Sequence, residues 1–223
     1  MNAPIPPLAP MPKSNFRLFS LPAALCPNGQ YSLAPLVRRN QSSSYISKLW
    51  VGRNFAFDGD APDSFFELAT IRAFAFHGLL DADLPATAPM ISFTNPLPAS
   101  IAENPLPLVT GIAIQLDGCD LVLPECFDFD SLANALLLFI GDEILSISNA
   151  AMTGAGGFEL TAIRGRFGTA IADHAQGDDI FILPLADLTI LQHPSFASGA
   201  TALFKLTIGM QQLTDVASFT QQL

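Results

Sequence analysis

Charge is what this chain has least of. Only 13% of its 223 residues are Asp, Glu, Lys or Arg, against roughly 25% in an average soluble protein. A surface so short of charge leaves apolar area that a free monomer seldom carries as one patch, and burial of that area in an assembly accounts for it better than an enlarged core alone. Basic residues are scarcer still, ten against twenty acidic ones, for a net charge of -10. Phosphate contacts need clustered Lys and Arg, so the balance argues against a nucleic-acid partner. Long hydrophobic runs are missing too. No stretch approaches the roughly 18 apolar residues of a membrane helix, and the strongest, residues 135–140, stops at Gly141-Asp142-Glu143. Residues 1–12 hold five prolines (Pro4, Pro6, Pro7, Pro10 and Pro12) and no basic segment ahead of an apolar one, which does not read as a secretory signal. Cysteine is sparse. Cys26, Cys119 and Cys126 form no metal-type pair, since six residues separate the last two and no His lies close by. An odd number of cysteines without an export signal fits a chain made in a reducing cytoplasm.

What the chain does have is turn chemistry between short apolar runs. Eighteen prolines and fifteen glycines argue against a helical bundle, because each costs stability inside a helix. Strands are expected at 46–57, 65–77, 109–116, 144–148, 158–163, 179–183, 202–208 and 216–220. Alternation supports them: Ile71, Ala73, Ala75 and His77 share one face of an extended segment. The breaks at Asp58-Gly59, Asp117-Gly118 and Gly154-Ala155-Gly156-Gly157 carry hairpin residues. Asp130-Ser131 can cap a short helix over 132–138, although the same apolar run also suits a buried strand. The pattern is that of a mainly β chain, an antiparallel β-sandwich or distorted barrel, preceded by an extended Pro-rich N-terminal arm. The arm is expected to cover residues 1–44 and the β body residues 45–223. Six basic residues, among them Lys13, Arg17, Arg38 and Arg39, precede Asn54 without one Asp or Glu between them, while every acidic residue follows. Such an arm would dock on an acidic body by complementary potential. Solvated charge along a connector is the plainer alternative.

Residues 159–183 read ELTAIRGRFGTAIADHAQGDDIFIL. A strand-like run enters Arg164-Gly165, a second break follows at Gly168-Thr169, and beyond His174 the chain restarts at Gly177 with another apolar run. The two glycines permit backbone conformations closed to other residues, and Thr169 and Asp173 suit local amide hydrogen bonds. His174 is expected to bond a backbone carbonyl and Arg164 to meet a carboxylate or nearby carbonyls. The pattern R-G-x-x-G-T, then H-x-x-G and a hydrophobic strand, resembles a segment of the tail-tip and baseplate hub proteins of tailed bacteriophages and gene transfer agents. Upstream, Ile140-Gly141-Asp142-Glu143-Ile144-Leu145 and the Asn149-Ala150 turn occur in that family's order; downstream, 203–209 and 216–220 are similar to its closing strands. The resemblance spans 138–220, with a looser likeness over 49–68 around Asp58-Gly59-Asp60. It implies a structural virion protein at the tail tip, hub or baseplate, assembled in the host cytoplasm. The partners it implies are other tail proteins (hub, tail tube, fibre) and further copies of the chain, as a trimer.

Each candidate chemical site in the sequence also has a plainer role. Asp58-Gly59-Asp60 with Asp63, and Asp128 with Asp130, offer oxygen ligands for calcium, but turns favour Asp and Gly for backbone reasons alone. Asp142 and Glu143 are neighbours whose side chains point to opposite faces of a strand. A glycosidase pair would therefore need a second carboxylate, from Glu159 or Asp173. His77, His174 and His193 are far apart for a metal site. Eighteen Phe against one Trp and two Tyr point the aromatics inward, since binding platforms favour rings with a polar handle. No catalytic group, metal or cofactor is expected. A host-receptor or glycan-binding module at the tail tip, touching the host surface, is the alternative function, and a cell-wall-degrading enzyme a third.

Overall fold

Alternating apolar residues between turns build thirteen strands among the residues that a computed structural model describes: 16–38, 46–52, 64–89, 108–117, 136–154, 156–194 and 196–223. The chain is mainly β, and both expected architectures occur, one in each of two compact units.

The first unit draws on Met1–Leu21, Cys26–Phe74 and Thr189–Leu223. Strands β1 (Phe16–Ser20), β2 (Ser32–Val37) and β11 (Leu191–Gln192) form one sheet in the order β1-β2-β11. A second sheet, β13-β12-β3-β4, contains β3 (Ser47–Gly52), β4 (Phe65–Ile71), β12 (Thr201–Ile208) and β13 (Phe219–Gln222). Leu18, Leu33 and Val37 of the first sheet share one buried cluster with Leu49, Val51 and Phe204 of the second. That common core makes the pair a sandwich. The expected arm boundary at residue 44 differs from this arrangement. Within the stretch assigned to the arm, β1 and β2 pair in register from Phe16↔Val37 to Ser20↔Leu33, and all six β2 side chains are buried. Pro35 in a paired strand masked that segment's strand character, because proline removes a ladder donor. Residues 1–15 and 39–45 lie outside the described residues.

The second unit, Pro22–Leu25 with Ala75–Leu188, is a closed barrel of six antiparallel strands in the order β10-β5-β6-β9-β8-β7. Its strands are β5 (Phe76–Leu80), β6 (Leu108–Leu116), β7 (Leu136–Ile140), β8 (Glu143–Gly154), β9 (Gly157–Ile163) and β10 (Asp179–Pro184). Leu138, Ile140, Leu145, Leu160, Ile180 and Ile182 help to fill the interior, together with Leu84 and Ala88 from the segment after β5. Closure leaves the barrel with no free edge strand. The predicted strand 65–77 is two strands in different sheets, β4 of the sandwich and β5 of the barrel. Period-two alternation cannot register that the chain changes partners at Arg72-Ala73-Phe74. Of the run 132–138, residues 136–138 are described, and they open β7, whose side chains are buried on both faces.

Gly78 shows how closely β5 and β6 approach. A Cβ there would run into the carbonyl oxygen of Gln115 and the side chain of Leu116. Gly78→Ala is expected to destabilise the barrel by about 1–3 kcal/mol, read as a lower urea midpoint with an unchanged slope.

Candidate functional site

Among the described residues of the barrel, the side chains of Arg164 and Glu143 are buried charges, only 1% and 0% exposed. Glu143 opens β8 straight after the Gly141-Asp142 turn, and Arg164 follows the last residue of β9. Because β8 and β9 are neighbours, the two residues come together at one end of the barrel. The guanidinium grips the carboxylate two-handed: Nε donates to Oε1 at 3.0 Å and Nη2 to Oε2 at 2.6 Å. Two further donors of Arg164 reach main-chain oxygens, Nη1 to Pro85 at 2.7 Å and Nη2 also to Ala172.

Three further donors complete the cage around Glu143. Gly165 N–H bonds Oε1 at 3.1 Å, while Ala172 N–H and His174 Nε2 bond Oε2 at 3.2 and 2.8 Å. A carboxylate only accepts, so the His174 ring carries a proton on Nε2. Burial alone would push the Glu143 carboxyl up. The hydrogen bonds from His174, Arg164 and Ala172, with the Arg164 charge, outweigh that and bring its pKa down to about 2.

The motif's small residues make this approach sterically feasible. Gly165, Gly168 and Gly177 all lie in the left-handed region, at φ +61, +80 and +90°, where a Cβ is disfavoured. Phe167 takes the same conformation at φ +56°, its ring beneath the Arg166 guanidinium at 5.2 Å. Thr169 ties the turn to β8, accepting Ile144 N–H at 3.1 Å and donating to Arg166 O at 2.9 Å. The backbone of His174 pairs with Leu84 in both directions, at 2.8 and 3.0 Å. Asp173 Oδ1 accepts Ala86 N–H at 2.6 Å and Asp83 Oδ1 accepts Gln176 N–H at 2.8 Å. Segment 81–88 is thereby stitched to segment 172–178.

The structure brings Arg164, Gly165, Thr169 and His174 of the motif into one cluster, with Gly168 and Gly177 shaping the turns beside it. The His174 side chain does not take the expected backbone carbonyl; it donates to Glu143 instead, because an ionised carboxylate buried this deeply is the stronger acceptor. Sequence reasoning expected a carboxylate or carbonyls for Arg164 but did not find Glu143 as that partner. The signal was its place inside the apolar run L-L-L-F-I-G-D-E-I-L-S-I, where a carboxylate needs a cation. Glu159 is exposed on β9, and Asp173 serves Ala86. His77 lies between two other carboxylates, Asp117 at 2.5 Å and Asp179 at 2.9 Å, and the His193 ring contacts Phe66 and Phe196. Among the described residues, no group of three or more His, Cys, Asp or Glu is placed to hold a metal ion. The calcium candidates Asp58, Gly59, Asp60, Asp63, Asp128 and Asp130 lie outside the described residues, as do Lys13 and Arg39. Arg17 lies in β1 with its guanidinium 5.7 Å from the Phe19 ring, and Arg38 follows β2.

The fold and site define a mainly β chain, a sandwich and a closed barrel, with a carboxylate caged at the barrel's end. In comparison with known proteins, no family model matches the chain and no curated protein sequence is significantly similar to it.

Because its pKa is lower in the folded chain than the ordinary 4.5, Glu143 stabilises the fold above about pH 4.5, and that stabilisation is lost as the pH falls towards about 2. The shift corresponds to about 3 kcal/mol. Urea titrations between pH 2 and 6 should show stability rising with pH in the native chain and a much flatter profile in Glu143→Gln. At pH 7, Arg164→Ala should cost about 3–5 kcal/mol, since it strands a buried charge. Arg164→Lys should recover little of that loss, because an ammonium cannot make the paired bonds. A wild-type melting temperature in Arg164→Ala would show that the cage contributes nothing.

Proposed function

We propose that the chain is a structural protein of a bacteriophage or phage-like tail, seated at the tail tip, hub or baseplate, and that it works through subunit contacts with no chemical step. It is assembled in the host cytoplasm and resides in the virion tail as a homo-oligomer, a trimer, against hub, tail-tube and fibre proteins. The observation that carries this proposal is the inward commitment of the R-G-x-x-G-T corner. Arg164 is bound to Glu143, Pro85 and Ala172, which suits a part whose work is to hold its shape. The low charge content supports extensive burial between subunits. The basic stretch around Lys13, Arg17, Arg38 and Arg39 supplies potential complementary to an acidic neighbour.

Antibody against the chain is expected to label intact particles at the tail tip in electron micrographs; label on the capsid, or particles without the chain, would overturn the assignment. Native mass measurement of the purified protein is expected to give three copies. Replacing both Arg38 and Arg39 with Glu should weaken that assembly, and an unchanged oligomer would remove the docking role of the basic stretch.

A further inference from the structure

The chain's single tryptophan belongs to the sandwich unit. Alternation along β3 sends Leu49 and Val51 into the core and leaves Lys48 and Trp50 on the opposite face. Register places Thr207 and Thr70 on either side of Lys48, and Lys205 and Glu67 on either side of Trp50. The result is two polar rows across three strands with one half-buried indole among them.

Several features hold this indole as a platform. Its Nε1 donates to Thr207 Oγ1 at 3.0 Å, which fixes the ring plane. The register between β3 and β4 shifts between Leu49 and Trp50, so Trp50 faces Glu67 while Leu49 faces Ala69. Bulges of this kind re-aim a side chain and are common beside functional sites. Glu67 accepts from Lys48 Nζ at 2.7 Å and from Thr70 Oγ1 at 2.7 Å. Lys48 and Glu67 are 43% and 34% exposed, and the ammonium hangs 5.7 Å from the indole centroid. An exposed pair of this sort is weakly held and can be displaced. Lys205, buried beside it, donates to Leu213 O at 3.1 Å and lies 4.9 Å from the Phe65 ring.

We propose that Trp50, Lys48, Glu67 and Thr70 form a binding subsite for a neutral hexopyranose. The two exposed charges cancel, which favours an uncharged ligand over a phosphate or an acidic sugar. Sugar hydroxyls both donate and accept, as a carboxylate, an ammonium and a threonine hydroxyl side by side require. The C–H face of a pyranose stacks on an indole, which offers an apolar face with a polar edge. The subsite does not depend on the chain belonging to a tail, so labelling of particles and sugar binding can fail separately.

As the only tryptophan, Trp50 reports on its own site. The intact protein would be titrated with glucose, galactose, mannose and N-acetylglucosamine, each as monosaccharide and as trisaccharide, while indole fluorescence is followed. At least one is expected to give a saturable change with a Kd of about 1–10 mM. Glu67→Gln should weaken that binding at least about fivefold while leaving the thermal melt unchanged. Trp50→Leu should abolish the heat of binding in calorimetry. No saturable response below roughly 0.1 M of any sugar, or the same affinity in Glu67→Gln, would overturn the subsite.

Discussion

An ionised carboxylate cannot be taken out of water without partners, and Glu143 shows what satisfying that demand requires of a chain. Five donors converge on its two oxygens: two from Arg164 and one each from Gly165, Ala172 and His174. They come from the exit of β9 and from the segment leading to β10, while Arg164 also reaches Pro85. One buried charge therefore sets the path of several segments that share no strand pairing with it. The glycines of the motif follow from the same demand, since Gly165 must present its N–H to the carboxylate while the chain turns in a left-handed conformation.

The barrel supplies the conditions that make such a cage useful. Its interior is mostly aliphatic, and its strands are joined all the way round. The weak place of any short barrel is its end, where loops must close over apolar side chains. Here Leu84 and Ala88 enter the core from segment 81–88. The bonds from that segment to Arg164, Asp173, His174 and Gln176 hold it down. Hydrophobic burial drives the closure; the polar cage gives it one geometry. Removing one partner of such a buried pair is costly because it leaves the other charge uncompensated.

Much of the strand content was legible in the chain itself. The hairpin from β8 to β9 follows from apolar alternation on either side of Gly154-Ala155-Gly156-Gly157, and β10 and β12 lie where 179–183 and 202–208 were expected. What could not be read was which strand belongs to which sheet. The run 65–77 keeps its period through Arg72-Ala73-Phe74, yet the chain passes there from sandwich to barrel. The motif residues were legible as a structural corner, and Glu143 was not legible as its centre, because it precedes Arg164 by 21 residues and periodicity carries no information about contacts at that range.

By itself the sequence determined that the chain would be built of short strands, that little of its surface would be charged, and that Arg164 to Gly177 would form a tight glycine-shaped corner. Those outcomes depend on local sterics, on turn chemistry and on composition, which act within a few residues of each position. Only the tertiary structure decided that β1 and β2 join the sandwich, that β5 belongs to the barrel, that His174 meets a carboxylate, and that Trp50 stands between Lys205 and Glu67. Each of these depends on which distant strands are brought side by side, and pairing across such distances is chosen by the closure of the whole barrel and sandwich, which no local stretch encodes.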